Sequence, residues 1–146
     1  MAFRAFGAAG VAGSVHGVAL LKIALAQLHL AVGDISQALS AANMALGFAE
    51  QYRLGLEQGA THRILGEVYQ AMGNRAEADA AFRRSLEVLE GIQSPPELAQ
   101  TLLAYGRFRR GDNSLDDRAM IERALHLSEE MNATGWIKEA RTALDS

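Results

Sequence analysis

Two glycine turns, forty residues apart, constrain this chain more than any other feature. Gly33-Asp34 is followed by Ala38 and Leu46; Gly73-Asn74 is followed by Ala78 and Leu86 at the same offsets. Upstream, Leu25-Ala26, Leu65-Gly66 and Tyr105-Gly106 continue the spacing. Self-similarity at such a period marks a stacked repeat in which each unit buries its apolar face on its neighbours.

Each unit reads as a pair of helices. Leu21, Leu25, Leu28 and Val32 recur at helical spacing and form one apolar face. Gly33 ends that helix, because glycine adopts the left-handed conformation cheaply. Asp34 caps the next helix with Gln37 in the capping-box place, and Asn74 with Glu77 repeats the device. The second unit carries Ile64, Leu65, Val68, Tyr69 and Met72 before Gly73, and Ala78, Ala81, Phe82, Leu86 and Leu89 after it. The third opens at Ser94-Pro95-Pro96-Glu97, a cap, two first-turn prolines and a capping-box acid. Its turn is expected at Gly111-Asp112-Asn113, with Ser114 and Asp117 as a further box before Leu115. A last helix from Thr134 to Leu144 covers the final pair, with Trp136, Ile137, Ala140 and Leu144 facing inward. Gly66, Gly106, Ala26, Ala38 and Ala78 are small where helices cross closely.

The order Leu65-Gly66, Tyr69, Gly73, Ala78, Phe82, Ser85-Leu86 resembles the tetratricopeptide repeat, and the resemblance covers residues 16–146. It implies an all-α fold, an α-α superhelix of three such hairpins plus a C-terminal capping helix. Residues 1–15 are then a tail or the remnant of a preceding repeat. The first unit departs from the family at Ala26 and His29. In the third, Asp117 stands where the family packs a small residue, which puts that crossing in question. The run PPELAQTLLAYGRFRRGD and the segment after it are similar to the C-terminal repeat regions of large bacterial ATP-binding transcriptional activators and nucleotide cyclases. That resemblance implies a non-catalytic protein-interaction or signal-relay module, a piece of a larger regulator working in the cytoplasm. Its partner would be a protein or peptide held in the concave groove lined by the first helix of each pair. Mapping the family pattern places Ile23, Gln27 and Leu30 there, then Arg63, Glu67 and Gln70, then Gln100, Arg107 and Arg110.

Other chemistry finds little support. Gly66 and Gly73 do not make a phosphate-binding loop, which needs a lysine after its second glycine. His16, His29, His62 and His126 are scattered, with His62 near the start of a helix, and no cysteine is present, so no cofactor or metal is expected. Absence of cysteine also suits a reducing compartment. No convergent acid, base or nucleophile set supports the alternative of an enzyme with a groove site. The cluster Arg107-Phe108-Arg109-Arg110, with Arg83-Arg84, is the basis for a second alternative, a weak nucleic-acid binder, but the net charge of -3 argues against it. Lys22, His29 and Asp34 interrupt any membrane span. The first helix has no unit before it to cover Val18, Leu21, Leu25 and Leu28, so either self-association through it or a missing upstream repeat is expected.

Overall fold

The computed structural model describes residues 2–110 and 115–145, with side chains described for 15–110 and 117–145. The turn expected at Gly111-Asp112-Asn113, the cap at Ser114 and the side chain of Leu115 lie outside the described residues. Seven helices follow one another among those described: α1 (Ala2–Ala31), α2 (Ile35–Gln51), α3 (Gly55–Ala71), α4 (Arg75–Ile92), α5 (Pro95–Arg109), α6 (Leu115–Glu130) and α7 (Thr134–Asp145). The closest pairings are α1 with α2, α3 with α4 and α5 with α6, the three expected hairpins. α1 also meets α3, α3 meets α5 and α5 meets α7, so the odd-numbered helices share one layer. Among the described residues no helix is long and apolar enough to cross a membrane.

Four turns use the same pair of backbone hydrogen bonds. In the first, Asp34 N–H donates to the His29 carbonyl (2.9 Å) and Gly33 N–H to Leu30 (3.1 Å), satisfying carbonyls that a helix end leaves free. Asn74 and Gly73 repeat it onto Tyr69 and Gln70. Gly33 and Gly73 take positive φ, +82° and +77°, as expected of them. The other two turns place Arg53 (φ 54°) and Asn132 (φ 55°) in the same left-handed conformation, with Leu54 bonding back to Ala49 and Ala133 to Ser128. Asp34 Oδ1 accepts from Gln37 N–H at 3.4 Å and Asn74 Oδ1 from Glu77 N–H at 3.5 Å. The third expected cap differs. Ser94 occupies the N-cap position without a side-chain cap bond, and Glu97 turns to Arg63 instead. Pro95 and Pro96 carry no N–H, and the Ser94 side chain does not take the Glu97 N–H either.

The crossings rest on missing side chains. A Cβ on Gly66 would lie 2.8 Å from three atoms of the Phe82 ring, and one on Gly106 would lie 2.6 Å from Ile121 Cγ1. Asp117 does not spoil the third crossing. It is buried with its carboxylate 3.1 Å from Arg109 Nε, and its backbone carbonyl takes the place beside Gly106. Phe82 stacks on Tyr105 (ring centroids 5.4 Å apart) and tilts against Phe108, which joins α4 to α5. Ser85 Oγ donates to the Gly59 carbonyl at 2.7 Å and lies 2.9 Å from Thr101 Oγ1, a buried polar link across α3, α4 and α5.

Val18, Leu21, Leu25 and Leu28, expected to lie uncovered, are 36–61% exposed and Val32 is 70% exposed, while Ala19, Ile23 and Ala26 are buried. α1 is therefore apolar on both faces. One sequence expectation is corrected. His62 lies in mid-helix, because α3 begins seven residues earlier at Gly55, after a Leu54 that makes no side-chain cap.

A contrast follows for stability. Gly66→Ala forces Phe82 off its stack and should cost about 1–3 kcal/mol, whereas Arg53→Gly relieves a left-handed residue and should add up to about 1 kcal/mol; denaturant titration of the two variants measures both. Burial first, then the nearby Arg84 guanidinium, lowers the pKa of His62 below its ordinary 6.5. Its neutral form is favoured in the fold, so its contribution is complete above 6.5 and is lost as pH falls from there toward the lowered folded value. Melting curves of His62→Gln should therefore be flatter between neutral and mildly acid pH than those of the parent.

Candidate functional site

The layer of odd-numbered helices holds two neighbouring cavities, both open to solvent on one side. The first, about 330 Å³, lies between α1, α3 and α5 and is mostly apolar: Leu20, Ile23 and Ala24 face Leu56 and Ala60, with Gln27, Glu57, Glu97 and Gln100 as its polar edge. The second, about 220 Å³, lies between α3, α5 and α7 and is polar, walled by Glu67, Arg107, Glu139 and the indole of Trp136. Arg63 and Gln100 line both. A larger depression of about 560 Å³ lies at the α6–α7 junction, but it is open and lined by side chains of that one corner, including Glu129, Lys138 and Arg141. The pair is the better candidate, since three helices converge on each cavity.

Arg63 is the pillar between them. Only 7% of the residue is exposed. Its Nη1 donates to Glu67 Oε1 at 3.0 Å, its Nη2 stands 3.9 Å from Glu97 Oε2, and its buried Nε makes no hydrogen bond. The Glu67 contact follows from the i,i+4 spacing on α3. Glu97 reaches it from the first turn of α5. At the far edges, His16 Nδ1 meets Glu57 Oε1 at 2.8 Å, and Arg107 Nη1 stands 3.8 Å from Glu139 Oε2.

Of the nine residues expected in the groove, Ile23, Gln27, Arg63, Glu67, Gln100 and Arg107 line these cavities. Ile23 and Arg63 are buried and act as wall and pillar rather than as open contacts. Leu30 packs against the core of the first two hairpins, Gln70 is exposed further along α3, and Arg110 lines neither cavity. Leu56, Glu57, Glu97, Trp136 and Glu139 were not expected. Leu56, Ala60, Arg63 and Glu67 share one helical face, a periodicity that would have found Leu56. Trp136 and Glu139 belong to the capping helix, and only its seat against α5 brings them here.

The arginine cluster does not present a bare basic face. Arg109 pairs with Asp117, Arg107 with Glu139, Arg83 with Asp79 at 2.9 Å and Arg84 with Glu87 at 3.3 Å. Tyr105 Oη donates to Asp79 Oδ1 at 2.6 Å and accepts from Arg83 Nε. Burial, then the bond to Asp79, raises the Tyr105 pKa, the opposite of what an activated phenolic base needs. Among the described residues no group of His, Asp and Glu is placed to hold a metal ion. The cavities can therefore grip apolar and hydrogen-bonding groups side by side. No protein-family model matches the chain, and no curated protein is significantly similar to it.

The Arg63 pillar is testable by a double-mutant cycle. Arg63→Met leaves Glu97 and Glu67 without their cation and should destabilise the fold by about 2 kcal/mol, while the added change Glu97→Gln should restore about half of that loss. Urea unfolding of the four proteins checks it, and strict additivity would count against coupling.

Proposed function

We propose that the chain is a non-catalytic partner-binding module built as a tetratricopeptide-like superhelix, and that it holds a peptide or protein segment along the concave face of α1, α3, α5 and α7. The observation that carries this reading is the pair of cavities sharing Arg63 and Gln100, one apolar and one polar. Such pairing suits a ligand that seats an aliphatic or aromatic side chain between α1 and α3 and runs its backbone or a polar side chain past Gln100 and Arg107. Helical repeats stack into extended surfaces of this kind, and pockets with a few placed polar groups provide specificity. The resemblance to the repeat regions of bacterial transcriptional activators and nucleotide cyclases extends the proposal to a relay role: occupancy of the groove changes how an attached or associated regulatory domain behaves in the cytoplasm.

The test uses Gln100 and Arg107, whose replacement leaves Arg63 and its two acids in place. Peptides selected from a displayed random library on the parent protein should bind Gln100→Trp and Arg107→Glu at least tenfold more weakly by isothermal titration, with circular dichroism unchanged. Equal affinity for parent and both variants, or no peptide selected at all, would remove the groove from the proposal.

A further inference from the structure

The outer face of α1 is an unshared helix seam. Val18, Leu21, Leu25, Leu28 and Val32 follow one another at alternating spacings of three and four, the heptad pattern of a helix that packs against another helix along a narrow stripe. They are respectively 36%, 61%, 43%, 57% and 70% exposed. Gly17, Ala24 and Ala31 flank the stripe one heptad apart, so one of its edges is small enough for a second backbone to come close. Between Gly17 and Val32 every exposed residue is uncharged. The one lysine in that span, Lys22, is half-buried and turned over the Phe48 ring, 5.7 Å from its centroid. An aliphatic stripe of this length with no charge is seldom left in water.

We propose that a second copy of this chain covers the stripe, with the two α1 helices antiparallel about a two-fold axis at Leu25. The residue types make the stripe self-complementary under that operation. The order is Val, Leu, Leu, Leu, Val. Turned end for end about its centre, it places Leu25 on Leu25 of the other copy, Leu21 beside Leu28, and Val18 beside Val32. A two-fold interface requires this property of a single patch. The uncharged surface offers no like-charge repulsion between the copies. Pairing five side chains of this exposure buries roughly 1,000 Å² in total, at the small end of specific interfaces, so the dimer is a reversible one with a dissociation constant of roughly micromolar order. Ala24 belongs both to the edge of this seam and to the wall of the apolar cavity, so dimerisation seats the other copy next to the groove without depending on any ligand.

The chain has no cysteine, so a single introduced thiol reports the geometry cleanly. Under mild oxidation Leu25→Cys should yield a covalent dimer in most of the protein. Leu21→Cys should not, because its two copies stand about 12 Å apart along the antiparallel pair, beyond disulfide reach. Met44→Cys, exposed on α2, serves as the collision control and should also stay monomeric. In sedimentation velocity from 1 to 200 µM (about two decades around the expected constant), the parent should move from monomer to dimer, and Leu25→Glu should weaken association at least tenfold with its helical content unchanged. Cross-linking of Leu21→Cys as efficient as that of Leu25→Cys would overturn the antiparallel arrangement. A parent that stays monomeric throughout would overturn the dimer, including the case in which it instead co-sediments with phosphatidylcholine vesicles, as a lipid-facing stripe would.

Discussion

The array depends on the ring of Phe82 lying directly on the backbone of Gly66. That contact sets the separation of α3 and α4, and the same ring stacks on Tyr105 and touches Phe108 of α5. One side chain thus fixes the spacing inside the middle hairpin and its docking on the next. Gly59 makes a second close approach two turns earlier, under Leu89. There the carbonyl of Gly59 is taken by Ser85, whose oxygen also meets Thr101. Dispersion from the aromatic stack and a fully satisfied polar link meet at the same three helices. A buried hydroxyl without those partners would cost more than the link contributes.

With the helices held at these separations, the layer of odd-numbered helices has two adjoining cavities. The divider is a guanidinium that could not be buried alone. Glu67 from its own helix and Glu97 from the next supply the opposing charge, and desolvated charge is tolerated only with such partners. The cavities differ in their other walls: Leu20, Ile23, Ala24 and Leu56 line one, Arg107 and Glu139 the other. Ala60 and Glu97 line the apolar cavity, Glu67 and Arg107 line the polar one, and Arg63 and Gln100 line both. Specificity in the proposed binding role then comes from a junction of two chemistries at Gln100, rather than from any single charged residue.

How much of this was legible in the residues depends on how local each cause is. Gly33 and Gly73 declare their turns because a positive φ is a property of one residue. Arg53 and Asn132 adopt the same conformation, but nothing in Arg53 itself announces it, so the start of α3 and the mid-helix place of His62 stayed hidden. Gly66 and Gly106 were readable as close approaches from their register alone. Six of the nine groove residues, read by mapping the resembled repeat onto the chain, line the two cavities, because α1, α3 and α5 share one layer. Glu97 was read as a capping residue because its spacing from Ser94 fits that role; its actual partner, Arg63, is thirty-four residues away in sequence. Trp136 and Glu139 depended on where α7 lands, which no local pattern specifies.

The residues by themselves determined an all-helical chain of paired helices, because period, turn glycines and caps act over a few positions and need no neighbour to be read. Tertiary structure alone decided that Ala19, Ile23 and Ala26 make the core face of α1. Both faces are apolar, and the choice falls to the small residues Ala19, Ala26, Ala38, Ala42 and Ala45, which let α1 and α2 approach more closely than a leucine stripe would allow. The leucines are left outside by that closer packing, and it is this residue of unburied surface, together with the divided groove, that gives the protein its two proposed surfaces.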